Sequence, residues 1–313
     1  KHLADGRIVW ADSIALGGTG AAKGVETIVR RIIGSVLPAG DEDIFSGLPR
    51  ERDDLYEKYL IAKRRSFTAR SYAEARAAAD ALENVIGQRP DFALAYPPLV
   101  RLYNIDFGYT ALGSTGQAER DKAFELAKAG LAADRGHVHS YTVLGFCYLW
   151  RGELDLACRC FDEALALNPY NHVRFQEVAT GMMFMGDLAE ARRMMDRARE
   201  LNPIPSEHLY EDLGRLDLLE GNYGGARAMF RLIMRGSIWA DLYMAVAELG
   251  LGLEEGKRRL HAWQSRVEAS WHSGASPGAA GLLDWIRFHH PLPSRIAEPL
   301  LSIIKPALMP TAA

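Results

Sequence analysis

Apolar and small residues in the middle of this chain recur every 34 positions. Tyr141, Leu144, Gly145 and Tyr148 are followed by Ala157, Phe161 and Ala164, and Pro169 closes the unit. Moved by 34, the same slots hold Phe175, Val178, Ala179, Met182, Ala191, Met195, Ala198 and Pro203. Within each copy the apolar positions fall on one face at helical spacing, so each unit predicts two helices joined by a turn. Small members such as Gly145 and Ala157 let the two helices approach closely. Tyr141, Tyr148 and Phe161 are large enough to fill the space between units, so burial is expected of all three. The proline after Asn168 cannot continue the helical ladder and stops the second helix. A pair of this kind buries its apolar face only by stacking on the next, which predicts an elongated array.

The pattern extends in both directions. Leu55 to Arg65 and Tyr72 to Ile86 predict a first pair, with Ala78, Leu82 and Val85 in the small and large slots. A second pair opens at Tyr96, Leu99 and Tyr103, but its second helix, at Ala123 and Ala127, comes eleven residues late. The insertion, about Asp106 to Gln117, holds Gly108, Gly113 and Gly116 and predicts a loop. Units at 138–171 and 172–205 follow, then a fifth from Glu207 with Gly221-Asn222-Tyr223 at its turn and Ala226 and Phe230 beyond. A weaker sixth spans Ile238 to Arg266, with Gly256 in an alanine slot. After a flexible break at Trp271, Leu282 to His289 and Ile296 to Ile304 predict short helices that cap the last pair.

The first stretch differs. Arg7 to Ile14 reads as a strand, Gly17 to Gly24 as a loop, and Val25 to Val36 as a helix ended by Pro38. A lone strand cannot satisfy its own backbone, so its sheet partners are expected from upstream residues or from a second chain, making self-association through this strand one expected contact. The division is an incomplete α/β module at 1–50, a helical solenoid at 51–266 and capping helices at 267–313.

This spacing and residue pattern resemble the tetratricopeptide (TPR) repeat, a helix-turn-helix unit. The resemblance implies a mainly all-α fold, a right-handed TPR superhelix of about five to six helix pairs, that binds rather than catalyses. Ligands of such repeats lie on the concave face made by the first helix of each pair. By helical spacing that face carries His139, Thr142, Phe146 and Leu149, then Val173, Gln176, Thr180 and Met183, then His208, Glu211 and Arg215. Chaperone-binding repeats use lysine and asparagine there to clamp a terminal carboxylate. Thr142 and Phe146 stand in those places, so a protein or apolar peptide segment, or a domain of the same protein, is the expected partner. The competing reading packs the terminal helices against the same face.

Charge narrows the partner class. With 37 basic and 40 acidic residues the net charge is −3 and no basic tract stands out, so direct nucleic-acid contact by this segment is not expected. The cysteines, Cys147, Cys158 and Cys160, are too few and too odd for a disulfide framework and point to a reducing cytoplasm. Cys158 and Cys160 fall on different faces of one helix, which is poor metal-ligand geometry. No apolar run reaches the length of a membrane span and nothing reads as a signal peptide. The start at Lys1 reads as a fragment or a processed form.

Candidate chemistry is sparse. The Gly17–Gly24 loop sits where nucleotide loops sit, but a Walker loop needs Gly-Lys-Ser/Thr and the order here is Lys23-Gly24-Val25. His137, His139, His172 and His289-His290 show no zinc-ligand spacing, and no nucleophile elbow is present. No catalytic residue, cofactor or metal is therefore expected.

The order of parts adds a broader resemblance. The strand Ile8-Val9-Trp10-Ala11-Asp12, the stretch Asp54-Leu-Tyr-Glu-Lys-Tyr-Leu-Ile-Ala-Lys-Arg and the closing Phe288-His289-His290-Pro291 look similar to the C-terminal α/β-plus-TPR region of bacterial transcription regulators and class III adenylate cyclases. That likeness implies a non-catalytic regulatory region whose effector head lies upstream. A free-standing TPR adaptor in secretion or complex assembly is the alternative, and an enzyme using the glycine loop a third reading.

Overall fold

The computed structural model describes residues 55–202, 206–234 and 236–309. The strand-loop-helix module expected at 1–50, with its glycine loop, lies outside the described residues. Six helix pairs stack in chain order: α1 (Leu55–Thr68) with α2 (Tyr72–Gln88), α3 (Tyr96–Asn104) with α4 (Gln117–Ala133), α5 (Val138–Trp150) with α6 (Leu154–Leu167), α7 (His172–Met185) with α8 (Leu188–Leu201), α9 (Glu207–Leu219) with α10 (Tyr223–Phe230), and α11 (Ile238–Gly250) with α12 (Glu254–Ala269). Two further helices follow, α13 (Gly278–His289) and α14 (Ser294–Leu308). Among the described residues no helix is long and apolar enough to cross a membrane.

The turn inside four of the pairs is built the same way. Gly152, Gly186, Gly221 and Gly252 are left-handed, with φ between 72° and 83°. After each, the next backbone N–H reaches back to a carbonyl in the last turn of the first helix, as Asp187 does to Met182 at 3.0 Å and Asn222 to Asp217 at 2.8 Å. This is the closure a glycine just past a helix end permits. Asp187 and Asn222 then accept from the N–H groups of Glu190 and Gly225, capping the second helix. Asn171, Ser206 and Ser237 cap first helices likewise, each such cap contributing about 1 kcal/mol.

Between pairs the large-and-small pattern becomes an interlock. Phe161 on α6 is fully buried, lodged between Gly145 on α5 and Gly181 on α7. A Cβ at either glycine would lie 2.5 Å from the ring. Tyr141 and Tyr148, expected in the core with Phe161, are only half-buried; the Tyr148 ring instead meets Phe124 edge-on at 5.2 Å. Gly256 also has a reason, since a Cβ there would come within 2.7 Å of the Leu249 backbone nitrogen.

The tail departs from simple capping. Helix α14 does pack on α11 and α12, closing the last pair. Helix α13 instead turns its aromatic side inward: Trp285 stacks on Trp239 of α11 at 4.6 Å between ring centres. The insertion after α3 is likewise a packed segment and not a loose loop. Phe107 is buried with its ring edge-on to Tyr72 and Tyr103, and Leu112 accepts a hydrogen bond from the His272 N–H at 2.9 Å.

The interlock makes a specific prediction. Gly181→Ala should destabilise the chain by roughly 1–3 kcal/mol through overpacking, and Phe161→Leu should relieve part of that loss in the double variant. Urea unfolding of the two single variants and the double variant measures the coupling. Strictly additive effects would show that the Gly181–Phe161 approach does not set the helix spacing.

Candidate partner-binding face

The inner surface is built from the first helix of each pair, and repeat register arranges its side chains in tiers. His139, Val173 and His208 form the tier nearest the helix starts, and all three are at least partly exposed. The next tier is Thr142, Gln176 and Glu211, the next Phe146, Thr180 and Arg215, and the last Leu149, Met183 and Leu218. Exposure falls along the helices. Leu149, Met183 and Leu218 are at most 2% exposed, and Thr142 is fully buried as well. Those side chains have no surface to offer a partner, although spacing alone placed Thr142, Leu149 and Met183 on the binding face.

The deep tiers are covered by the chain's own tail. Leu292 packs into the apolar cluster that holds Leu149, Met183 and Phe184. Arg295 donates to the Gly186 carbonyl at 2.9 Å, and Gly186 leaves room for Pro293, which a Cβ would meet at 2.8 Å. His290 sits among Phe184, Trp239 and Tyr243, with ring centres 5.6, 4.4 and 5.7 Å away. Its Nδ1–H faces the Ile286 carbonyl at 3.0 Å, which leaves Nε2 to accept from the Tyr243 hydroxyl. Burial, reinforced by the nearby Arg215 charge, pushes the His290 imidazole down to about 3, so it is neutral at physiological pH.

One buried carboxylate ties this tail to the insertion. Asp106 accepts from the Thr115 N–H at 2.6 Å and from the Trp285 indole N–H at 2.7 Å, and His289 Nε2 lies 2.7 Å from the same carboxylate. Burial alone would push the Asp106 carboxyl up, but His289 with the Thr115 and Trp285 donors holds it below the usual range. Beside it Asp106, Phe107, Gly108 and Tyr109 are all left-handed, with φ of 43°, 46°, 65° and 72°. Each of the three non-glycine residues bears roughly 1–2 kcal/mol of strain, which these contacts must offset. Nearby, buried Arg120 donates to the Phe288 carbonyl at 2.9 Å and lies over that ring at 3.6 Å.

Between the covered and open ends runs a polar ladder. Gln176 donates to Asp212 at 2.6 Å, Arg215 pairs with Asp212, and Ser237 donates to Glu211 at 2.6 Å. Arg174 pairs with Glu177, whose other oxygen lies 3.8 Å from His139. Partial burial and the Arg174 charge hold His139 below the usual histidine range, and burial raises Glu211 and Glu177. Thr180 donates to the Gln176 carbonyl at 3.2 Å, and Phe146 packs on Trp150 and Phe161 at 5.7 and 5.4 Å. Of the residues expected on the face, His139, Val173, Gln176, Thr180, His208, Glu211 and Arg215 thus line or border one polar surface. Phe146 sits deeper, against the core.

Sequence reasoning missed Arg174, Glu177 and Asp212, which the ladder brings into that surface. Helical spacing could have found all three, each one position beyond a residue assigned to the face. It had no means of finding Asp106, whose partner Trp285 is 179 residues away in the chain. Cys158 and Cys160 do not form a pair: the Cys158 sulfur is 3.6 Å from that of Met185, and burial pushes the Cys160 thiol up to about 11.

This geometry defines a helical-repeat solenoid with a polar inner surface partly occupied by its own tail. Residues 138–171 match the model of the tetratricopeptide repeat, and the three pairs that follow are joined by the same left-handed glycine turn. Among solved structures the fold is shared with the APC/C hetero-tetramer Cut9-Hcn1, at 12% identity and a TM-score of 0.51, over 91% of this chain and 55% of that one. The type IV pilus biogenesis factor PilW is similar at 16% identity and a TM-score of 0.47, over 70% of this chain and 94% of that one. A thermophilic TPR protein of Thermus thermophilus is similar at 16% identity and a TM-score of 0.45, over 68% of this chain and 98% of that one. No curated protein matches this sequence.

The buried imidazole gives a pH prediction. His290 has an ordinary value near 6.5 when unfolded and about 3 when folded. Between those values the unfolded chain takes up a proton that the folded chain refuses, so stability falls as pH drops through this window. The slope from this group is at most about 1.4 kcal/mol per pH unit. His290→Gln retains a donor and an acceptor and should melt with a shallower dependence between pH 7 and 5. Parallel native and variant profiles would show that His290 is not held neutral.

Proposed function

We propose that this chain is a non-catalytic protein-interaction and regulatory module that takes a segment of a partner protein along the open tiers of its inner face. The observation that supports this most directly is the division of that face. The apolar deep tiers are closed by the chain's own α13 and His290–Pro293, whereas His139, Val173 and His208 stay accessible above a ladder of paired charges. A partner segment lying there would meet one such position from each of three successive repeats. Its specificity would come from polar groups already held in place, which limits the ordering cost of binding.

The regulatory half of the reading is supported by the likeness of Asp54–Arg64 and Phe288–Pro291 to bacterial transcription regulators and adenylate cyclases. In that reading the tail and the partner meet the same inner surface, so occupancy of the open tiers is sensed by the element closing the deep ones. The low, odd cysteine count supports a cytoplasmic setting.

The test uses positions outside the core. Val173→Glu combined with His208→Glu should leave melting within about 0.5 kcal/mol of native, as surface changes do. It should also weaken by tenfold or more the binding of whatever protein copurifies with the native chain, measured with that purified partner. Unchanged affinity in the folded variant would place the interaction off the inner face.

A further inference from the structure

A chamber of about 390 Å³ opens between α1, α3, the left-handed turn and the start of α9. Its size falls in the range of small-ligand sites. Opposite charges reach it from separate walls. Arg101 of α3 lies over the Phe67 ring, 4.7 Å from its centre, and makes no ion pair with any described residue. A guanidinium lining a cavity without a carboxylate partner is a site for a carboxylate, which its planar fork can grip at two points.

The facing wall is acidic. Glu207 and Glu211 lie one helical turn apart on α9 and both line the chamber. Glu211 accepts from the Ser237 hydroxyl through Oε1, which leaves its second oxygen available to a cationic group. The remaining walls are mostly apolar, with Phe67, Leu102, Tyr109 and Ile233. Tyr109 and Gly108 belong to the strained turn that buried Asp106 pins, so this wall is preformed. Backbone strain held in place by surrounding contacts is characteristic of ligand clamps. Phe67 is 52% exposed, and Met234, beside the chamber residue Ile233, is 89% exposed.

We infer that this chamber binds a dipeptide-sized zwitterion, with the ligand carboxylate on Arg101, its ammonium at Glu211 and its side chains against Phe67 and Tyr109. A carboxylate at one end, an ammonium at the other and an apolar middle match the three kinds of wall. An inorganic anion would satisfy Arg101 but would face Glu207 and Glu211. A simple amine would leave Arg101 unpaired. The chamber shares His208 and Glu211 with the inner face, but the inference goes beyond the partner-binding reading and needs no partner protein there.

The experiment is a thermal-shift titration of the purified full chain with free Ala-X dipeptides spanning all side-chain types. The best of them is then compared with its N-acetylated and C-amidated forms. A ligand of the native state raises melting saturably. At least one free dipeptide should do so, and each blocked form should bind about tenfold or more weakly, a loss of about 1.4 kcal/mol. Arg101→Gln should erase the difference between the free and amidated forms, and Glu211→Gln the difference between free and acetylated. The proposal is overturned if no Ala-X dipeptide gives a saturable shift, or if the blocked forms bind the native chain as well as the free one. Should either variant fold poorly, the blocked-ligand comparison on the native chain decides alone. No partner protein is present, so failure here leaves the inner-face reading standing.

Discussion

The spacing between helices in this array is set by aromatic rings seated where a facing glycine omits its Cβ. Phe161 between Gly145 and Gly181 is the fullest case, and Phe230 against Gly214 and Tyr223 against Gly250 repeat it further along. Each seat lets two backbones approach to the width of one ring, and the ring then fills the gap at interior density. The seat recurs along the array, and the first helices advance in near-constant register. That is why His139, Val173 and His208, far apart in sequence, come to one level on the inner face. The common level of these side chains is thus a consequence of core packing.

A regular array of this kind creates a problem at its own deep end. Leu149, Met183 and Leu218 would together form an exposed apolar strip, the sort of surface that invites unspecific association. The chain closes the strip with its tail, and the closure is polar at its anchor. Asp106 takes Trp285 and Thr115 as donors with His289 alongside, so the carboxylate is compensated and the insertion is fixed to α13. Removing one partner would leave a buried charge short of contacts, which costs more than the pair gains by forming. The insertion and tail therefore depend on each other, and the left-handed turn persists because both hold it.

The fold was legible in the sequence wherever it repeats. Ala157, Phe161, Ala164 and their equivalents one repeat later announced the pairs, and Gly221-Asn222 announced a turn that proved left-handed and capped. What the repeat could not convey was anything made once. Asp106 and His289 lie far apart in the chain, with no local periodicity to connect them, and α13 carried the same amphipathic pattern whether it capped the last pair or entered the groove. Helical spacing could not say how far along these helices the tail would reach. Thr142, Leu149 and Met183 therefore read as exposed, when each is buried.

The outcome is an inner surface of two characters. Its deep half is apolar and closed by a segment that arrives with the chain at an effective concentration no free peptide matches easily. Its shallow half is lined by charges that are paired, raised or depressed by burial, and it adjoins the chamber where one guanidinium, Arg101, has no ion-pair partner among the described residues. Apolar contact gives affinity with little discrimination, whereas a fixed set of charges rejects ligands that leave any of them unmatched. Covering the first and leaving the second open confines exchange with the surroundings to the half of the groove that can discriminate. That arrangement is consistent with the selective partner-binding role proposed for this chain.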